Sequence, residues 1–429
     1  MTSLIPEQEH AKLVDKLASQ CVKCALCLPH CPTYELTKDE NESPRGRIAL
    51  FQALSQQKLP LTQKAKSHLD KCLGCRACER VCPAHVEYGD LLTLGRALLP
   101  ELPSKGQLTA PRLSTRFLSW LLIRRTPNRA FQWLLWLTQI SGLRTVARTL
   151  KITKLLGISD LESRLKDVPK PLDLSPFYPA IGEKRASVML FTGCLGSLCE
   201  QETLKASIYV LRHLGMDVHI PVNQTCCGAM HSHAGDLQTS HRLAKENVAA
   251  FLQQPVDFIV STATGCTSVL QEYAKHFSFA PNLNDENFSL FSSKVIDILT
   301  FVQQSPWPSS LSLAPIQKQV VLHTPCTRRN VLKSESAPQS LLSKIPGLSW
   351  QPLSSSNCCG AAGTYMLEQP QIAQKLAQQL LKDLETNQVN LIATSNIGCA
   401  LHLLQQAQRI NPKVAVIHPI VLVAQSLGF

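Results

Sequence analysis

The chain has 429 residues, of which 44% are hydrophobic and 17% charged, a composition typical of a globular protein of about two to four domains. No apolar run reaches the roughly 18 residues that span a bilayer, and the first residues lack the features of a secretory signal, so a cytoplasmic location is expected. The net charge of +12 is concentrated in residues 101–170, where 13 Lys and Arg face 4 Asp and Glu, and it does not indicate nucleic-acid binding. Because thiols stay reduced in such a chain, its 17 cysteines indicate metal ligands and not disulfides.

Two cysteine runs of identical spacing lie in the first hundred residues. A predicted helix over residues 6–20 precedes the first run, Cys21-Val-Lys-Cys24-Ala-Leu-Cys27-Leu-Pro-His-Cys31-Pro32. A predicted helix over residues 61–70 precedes the second, Cys72-Leu-Gly-Cys75-Arg-Ala-Cys78-Glu-Arg-Val-Cys82-Pro83, which lies 51 residues later (72 − 21). Both read C-x2-C-x2-C-x3-C-P, the spacing by which bacterial-type ferredoxins hold [4Fe–4S] clusters. The sequence therefore predicts an α-helical dicluster ferredoxin domain over residues 1–100.

The last cysteine of each run is predicted to ligate the cluster held by the other run, because the cysteine before proline leaves its own loop. One [4Fe–4S] cluster is thus assigned to Cys21, Cys24, Cys27 and Cys82. The second is assigned to Cys31, Cys72, Cys75 and Cys78. Paired zinc sites are the alternative, but zinc motifs use pairs of C-x2-C and not triplets that end in C-P.

Between the two runs, Pro44 and Gly46 predict a turn, and an amphipathic helix is predicted from Ile48 onward. Two arginines, Arg45 and Arg47, flank this turn. They are interpreted either as solvated side chains or as cations that neutralise the charge of a cluster or a partner.

Residues 101–182 are predicted to form a basic helical linker segment. Aromatic and basic side chains recur there at helical spacing: Trp120, Trp133, Trp136, Arg124, Arg125 and Arg129. Such a segment suits peripheral contact with a membrane surface or an acidic partner. The alternative is that its helices pack on the neighbouring domain with the arginines in water. Prolines at 169–171 and 176–179 are expected to end the segment as a linker.

From residue 183 onward, strands alternate with helices in an order that occurs twice. The strands predicted at 187–192 and 258–262 return at 319–323 and 391–394, and four cysteines recur at offsets of 132 or 133 residues (326 − 194, 399 − 266). This duplication predicts two α/β domains with parallel sheets, over residues 183–310 and 311–429. The predicted fold class is therefore α+β multidomain, with the two copies paired about a pseudo-two-fold axis.

Each copy offers four thiols: Cys194, Cys226, Cys227 and Cys266 in the first, and Cys326, Cys358, Cys359 and Cys399 in the second. Parallel sheets place their sites at the carboxyl ends of strands, and four thiols can enclose a further iron–sulfur cluster. Buried cysteines that act as small hydrophobic residues are the alternative, although they do not account for a repeated pair. Cys199 has Val331 as its counterpart and is predicted to be structural.

Together these motifs resemble the cysteine-rich-domain family, in which a dicluster domain precedes two C…CCG…C repeats. Its members include the iron–sulfur subunits of glycolate oxidase and of anaerobic glycerol-3-phosphate dehydrogenase, the lactate-utilisation iron–sulfur proteins, and subunits of heterodisulfide reductase. The resemblance to the glycolate oxidase type is carried by Ser43–Ala49, Cys358–Tyr365 and Thr394–Cys399. It implies an electron-transfer subunit of an oxidoreductase, without catalytic residues of its own, that passes electrons to a quinone or another acceptor. The electrons would come from flavoprotein dehydrogenase subunits that carry the flavin, and the complex would lie in the cytoplasm or on the inner face of the plasma membrane.

One departure from the family pattern concerns the end of each repeat. The fullest form of the repeat closes with C-x-x-C, whereas Val269 and His402 stand at the last position here. The resemblance therefore implies an ordinary or incomplete cluster in place of the noncubane form. His402 is either an iron ligand or, as is usual for a histidine on a helix after a strand, a packed residue.

Several alternatives stay open at this stage. Lactate or glycerol-3-phosphate is the alternative substrate class for the complex. A thiol-disulfide role of the heterodisulfide-reductase kind, and a non-redox scaffold with structural metal sites, are the alternatives from other functional classes.

Overall fold

The structure is a computed structural model, and it describes residues 5–108, 120–121, 123, 125–150, 168–279, 286–355, 357–382, 384 and 389–429. Predictions for Arg124 and for the other residues between these ranges lie outside the described part. The domain boundaries at 100, 182 and 310 stay predictions.

The N-terminal region is helical, as the two cysteine runs predict. Its helices are α1 Glu7–Ser19, α2 Pro32–Thr37, α3 Pro44–Ser55, α4 Gln63–Asp70, α5 Ala77–Arg80 and α6 Tyr88–Leu98, with short 3-10 turns at Leu28–His30, Glu40–Glu42 and Leu99–Glu101. Two short strands, β1 Leu61–Thr62 and β2 Ser104–Lys105, pair in parallel. Leu17, Phe51 and Leu91, from α1, α3 and α6, meet in a common apolar core, which fixes the frame that carries both cysteine loops.

Helix α3 begins earlier than predicted. The expected turn at Pro44 and Gly46 is its first helical turn, because the Ser43 hydroxyl oxygen caps the helix by accepting a hydrogen bond from the Gly46 amide (3.0 Å). Pro44 occupies the first helical position, where its missing N–H leaves no bond unmade. A side chain at Gly46 would collide with the Glu40 carbonyl. The predicted helix at 61–70 is shorter at its start, since Thr62 is the cap of α4.

The basic segment is described in part, as α7 Arg125–Ile140 and α8 Leu143–Thr149. Helix α7 packs on the first repeat through Gln132, whose side-chain amide donates to the Leu198 carbonyl (3.2 Å). The stretch expected as a linker at 176–179 contains the strand β3 Phe177–Tyr178, which pairs antiparallel with the first repeat's sheet.

Both repeats contain a parallel sheet with the same strand order. The first holds β4 Ala186–Phe191, β5 Met216–His219, β6 Phe258–Ser261 and β7 Val295–Asp297, and the second holds β8 Lys318–His323, β9 Leu348–Pro352, β10 Leu391–Thr394 and β11 Ala415–Ile417. The orders are β5-β4-β6-β7 and β9-β8-β10-β11, all parallel, with β3 added at the edge of the first. The prediction of two parallel sheets from a duplicated sequence is confirmed.

Helices connect these strands. The first repeat has α9 Cys194–Cys199, α10 Gln201–His213, α11 Ala229–Ala234, α12 Leu237–Phe251, α13 Thr264–Gln271, α14 Tyr273–Phe277, α15 Glu286–Lys294 and α16 Ile298–Gln304. The second has a π-helical turn Arg328–Leu332, then α17 Ser336–Ser343, α18 Tyr365–Glu368, α19 Pro370–Leu380, α20 Ile397–Ile410 and α21 Pro419–Ser426.

The two repeats share one core and exchange equivalent contacts. Alternate strand residues such as Val188 and Leu322 face that core, whereas Met189 and Val321 face separate outer cores. Helix α10 packs on α21, and its counterpart α17 packs on α16, so the helix pairs are reciprocal. A reciprocal interface is what a pseudo-two-fold relation requires. Beside it, the Thr264 amide donates to the Ser395 carbonyl (3.1 Å), which places the carboxyl ends of β6 and β10 against each other.

Candidate metal centres

The first ferredoxin cavity is lined by Cys21, Cys24, Cys27 and Cys82. Cys82 belongs to the second cysteine run, so a thiol from one run reaches the loop of the other. Pro44 and Ile48 of α3 also line this cavity, and the Cys78 thiol forms part of its wall.

The second ferredoxin cavity is lined by Cys31, Cys72, Cys75 and Cys78, and here Cys31 is the residue contributed by the other run. The two loops share a backbone conformation that is rare for side-chain-bearing residues. Lys23 and Ala25 in one loop, and Gly74 and Arg76 in the other, have φ between 56° and 68°. The matching positions are 51 residues apart (74 − 23, 76 − 25), so the duplicated spacing produces a duplicated loop. Such left-handed residues curl a short loop so that its thiols face one point.

The second cavity is walled by polar groups that contact its thiols. The Cys31 sulfur lies 3.2 Å from the Thr33 hydroxyl, and the Cys72 sulfur lies 3.5 Å from the Tyr88 hydroxyl. Hydrogen-bond donors at the sulfurs tune the potential of a bound cluster. Burial raises the pKa of Cys78 well above its ordinary value, and the neighbouring thiols Cys75 and Cys72 raise it further. Adjacent buried thiols become thiolates together only when a metal cation binds them and the protons are released. This set of four thiols therefore fits an iron–sulfur cluster.

Arg45 and Arg47, which sequence reasoning left between two roles, differ in the structure. Arg47 is 1% exposed, lines the second cavity, and forms a buried ion pair with Glu42 (2.7 Å). Arg45 is partly exposed beside the first cavity and is paired with Glu40 (2.7 Å). Of these two arginines, Arg47 is thus the one placed to offset charge at the second cavity, which Arg76 also lines.

Four thiols are brought together in the first repeat. The Cys194 and Cys226 sulfurs are 3.6 Å apart, and the Cys227 thiol interacts with both Cys226 and Cys266. Cys194 and Cys266 follow β4 and β6, the strands between which the chain order reverses, where open α/β sheets place their sites. The Gln132 and Arg129 side chains of α7 line the cavity beside this site.

The second repeat brings together its own four thiols. The Cys326 and Cys358 sulfurs are 3.9 Å apart, and the Cys359 and Cys399 sulfurs are 3.0 Å apart. Contact with Cys358 and burial raise the pKa of Cys326 well above its ordinary value, which again favours a protonated thiol until a metal binds. Gly360 has a φ of 87°, and a side chain there would collide with the Ala373 backbone, so only glycine lets the chain turn after the cysteine pair.

The second repeat's site adjoins the second ferredoxin cavity. Cys75, Cys326 and Cys358 line one common cavity, although Cys75 and Cys326 are 251 residues apart (326 − 75). The Asn330 side-chain amide donates to the Cys75 carbonyl (2.7 Å) and ties the π-helical turn to the ferredoxin loop. This adjacency could not be read from the spacing of the cysteines, because it depends on how separate domains dock.

Sequence reasoning missed one histidine at this site. His323, the last residue of β8, has a ring nitrogen within 4.8 Å of the Cys359 and Cys399 sulfurs. Of the two roles that the sequence leaves open for His402, the structure shows the packed residue, with Nε2 3.1 Å from the Ala373 carbonyl oxygen. Cys199, predicted to be structural, lies in a small apolar cluster with Leu198, and burial raises the pKa of its thiol to about 12.

Comparison with known proteins gives matches along the whole chain. Residues 17–86 match the family described as 4Fe-4S dicluster domain, and residues 188–271 and 320–404 match the Cysteine-rich domain family. The chain is 33% identical over 418 residues to a protein of Bacillus subtilis (strain 168) named probable glycolate oxidase iron–sulfur subunit, covering 95% of this chain and 94% of that one. It is 29% identical over 439 residues to the glycolate oxidase iron–sulfur subunit of Escherichia coli (strain K12), covering 100% and 98%. Lactate utilization protein A of Shouchella clausii is 26% identical over 233 residues, which cover 54% of this chain and 96% of that protein.

Among the helices that the structure describes, none combines the length and the apolar composition needed to cross a bilayer.

Proposed function

We propose a substrate for this chain, which belongs to the family of glycolate oxidase iron–sulfur subunits and acts as an electron-transfer subunit within an oxidoreductase complex. The chain takes electrons from a flavoprotein subunit that oxidises glycolate or a closely related 2-hydroxy acid. The supporting observation is the common cavity of Cys75, Cys326 and Cys358, because it joins a ferredoxin-type site to a second thiol site within one chain. The flavin is expected on the partner.

The ligand sets proposed for the two [4Fe–4S] clusters are Cys21, Cys24, Cys27 and Cys82 for one and Cys31, Cys72, Cys75 and Cys78 for the other. Further iron–sulfur clusters are proposed at Cys194, Cys226, Cys227 and Cys266, and at Cys326, Cys358, Cys359 and Cys399. These sets are supported by the thiols' approach to one another and by the burial of their surroundings.

The residues around these sites would have defined tasks. Iron–sulfur clusters, when bound, supply one-electron transfer. Arg47 places a fixed positive charge beside the second ferredoxin cavity, and the Tyr88 and Thr33 hydroxyls contact its thiols. Leu73, which follows Cys72 in the ferredoxin loop, packs in the outer core of the second repeat with Cys359 and so holds the two sites side by side.

A crevice of about 660 Å³ is the proposed site of the electron acceptor, a quinone or a molecule of similar size. It lies between all three cysteine-bearing regions, with Cys72 on one wall, His233 on another and Thr364 and Tyr365 on the third. Its volume is that of a typical small-molecule site. Filling it by Thr364→Trp is expected to raise the KM for the acceptor without changing the cluster spectra.

The function is tested by mixing the anaerobically purified full chain with its flavoprotein partners and recording electron paramagnetic resonance. Glycolate is expected to reduce the clusters only when the partners are present. Lactate is the second candidate substrate, because the lactate utilization relatives match 54% of this chain, and it is added in a parallel sample. A third sample contains glycerol-3-phosphate. Reduction by this substrate and by neither of the other two would contradict the 2-hydroxy-acid assignment. Clusters that none of the three substrates reduces would indicate a structural scaffold.

Peripheral membrane contact is proposed through α7 and α8. Large apolar side chains of these two helices are exposed by about half or more: Leu134, Leu137, Ile140, Leu143 and Val146. A surface of this kind, beside basic residues, suits the interface of a bilayer that contains quinone.

A further inference from the structure

His323 stands at a position where the fold calls for an apolar residue. It ends β8 and lies on the face of the sheet that contributes to the outer core of the second repeat, as Val321 does. Its counterpart in the first repeat is Phe191 (323 − 132), which packs in an apolar core with its ring centroid 5.9 Å from that of Phe251. The side chain of His323 is 2% exposed, so its ring is as buried as the phenylalanine that it replaces.

One ring nitrogen of this buried histidine has a partner, and the other has none among the described residues. Nδ1 lies 2.8 Å from the hydroxyl of Thr394, the residue paired with it across β8 and β10. Nε2 is buried without a hydrogen-bond partner. A buried polar atom without a hydrogen-bond partner is unfavourable in a native fold, and a bound ion is one of the few explanations for its presence.

The neighbours of His323 show which ligand would satisfy it. A ring nitrogen lies within 4.8 Å of the Cys359 and Cys399 sulfurs, and these three ligand atoms are all within that distance of one another. Histidines that bind metals commonly donate their other N–H to an oxygen, which fixes the ring. Thr394 supplies that oxygen, and in the first repeat the position is Ser261, whose hydroxyl has no partner among the described residues. The pair His323 and Thr394 is therefore specific to the second repeat.

We propose that His323 is a ligand, through Nε2, of the metal centre at Cys326, Cys358, Cys359 and Cys399. This deepens the proposed function, on which it rests for the presence of a metal at the second site. The centre has a mixed thiolate and imidazole donor set of five side chains, whereas the first repeat offers four thiols and a phenylalanine. Iron–sulfur clusters accept mixed thiolate and imidazole ligands, whereas zinc takes four ligands and would be held by His323 with three of the four thiols.

The proposal is tested on the anaerobically purified full chain, grown with ¹⁵N-histidine. The signal of the second repeat's centre is identified as the one that Cys358→Ser abolishes. Pulsed electron paramagnetic resonance should detect in this signal a nitrogen coupling as strong as that of a directly bound imidazole ring. If the metal is zinc, X-ray absorption spectroscopy at the zinc edge is used in its place. His323→Phe, which copies the first repeat, should lose the nitrogen signal. His323→Cys should keep the metal and shift an iron centre to lower potential, because imidazole ligands raise cluster potentials. The matched control is His402→Phe, a buried histidine of the same repeat, which should keep the nitrogen signal.

A nitrogen coupling that persists in His323→Phe and His323→Cys would overturn the proposal, as would a wild-type centre surrounded by sulfur alone. These measurements need no turnover, so they separate the two hypotheses. Bound nitrogen without reduction by any substrate would refute the electron-transfer route and leave the ligand assignment standing. Normal reduction of the clusters without bound nitrogen would refute the ligand assignment of His323 and leave the electron-transfer route standing.

Discussion

The two repeats have the same strand order and the same four cysteines, but their sites have different neighbours. The first site adjoins a cavity lined by Arg129 and Gln132 of the basic segment. The second adjoins the ferredoxin loop at Cys75 and has His323 where the first has Phe191. Duplication conserves the sheet and the glycines at the turns that bring the thiols together. The regions that dock on each repeat determine with which other sites its metal centre can exchange electrons. Equal motifs therefore do not imply equal roles.

The largest expected effect comes from removing the cysteine pair of the second repeat. Cys358→Ser with Cys359→Ser should lower acceptor reduction by at least roughly 100-fold, since ligand loss exceeds the 10- to 100-fold cost of disturbing outer-shell partners. The flavoprotein should still reduce the ferredoxin clusters in this variant. Stopped-flow absorbance follows both steps.

The matched variant changes the same pair in the first repeat, Cys226→Ser with Cys227→Ser. Because the cavity that Cys75 lines is shared with Cys326 and Cys358 of the second repeat, a smaller loss is expected from the first repeat. Full acceptor reduction in the second-repeat variant would show that its site is structural, and equal losses in both would remove the distinction between the repeats.

The next effect tests the exchange of cysteines between the ferredoxin loops. Cys82→Ser should damage the cluster of Cys21, Cys24 and Cys27, although Cys82 belongs to the other run, because its side chain lines their cavity. Iron analysis and electron paramagnetic resonance of the full chain measure it, and Cys199→Ser is the control that should change neither. Damage confined to the cluster of Cys72, Cys75 and Cys78 would contradict the assignment.

A third prediction concerns the ion pair that joins the repeats. Arg328 of the second repeat is completely buried and contacts Asp297 of the first at 2.5 Å, while its counterpart position in the first repeat is Gly196 (328 − 132). Arg328→Met should lower the free energy of unfolding by about 3–5 kcal/mol, because it leaves a buried carboxylate unpaired.

The measurement is urea unfolding of the metal-loaded chain. Its control is Arg242→Met, which removes an exposed pair with Glu246 and should cost no more than about 1 kcal/mol. Equal costs for the two variants would mean that Arg328 does not lock the repeats together.

Much of this architecture is encoded locally and could be predicted. The cysteine spacing predicted the helical first region, and the 132-residue offset predicted two parallel sheets. The same offset, with the apolar and polar alternation of Leu348 to Gln351, could also have predicted β9 at Leu348–Pro352, the counterpart of β5. Pro44 predicts a turn and a helix start equally well, because proline favours both, and only the Ser43 cap decides for the helix.

What could not be predicted depends on contacts between distant parts of the chain. The approach of Cys75 to Cys326 is set by how the domains dock. The apolar and polar alternation of a strand predicts which residues are buried, but it does not predict which of them lies near a sulfur. His323 was visible at the end of a predicted strand. Its meaning appears only when its first-repeat counterpart, Phe191, and its cysteine neighbours are placed around it.

The smallest expected effect concerns the surface of α7 and α8, which lies on the side of the first repeat. Leu137 and Ile140 are 49% and 60% exposed, so they contribute apolar area to a bilayer without supporting the core. Leu137→Gln with Ile140→Gln should weaken binding to anionic vesicles by about 10-fold, through loss of that area. Co-sedimentation at low salt measures the binding. Leu290→Gln, a change at an equally exposed leucine of α15, is the control that should leave it unaltered. Equal binding of all three proteins would indicate that α7 and α8 serve to cover the first repeat's cavity, and the two repeats would then differ in access to small molecules and not in contact with a membrane.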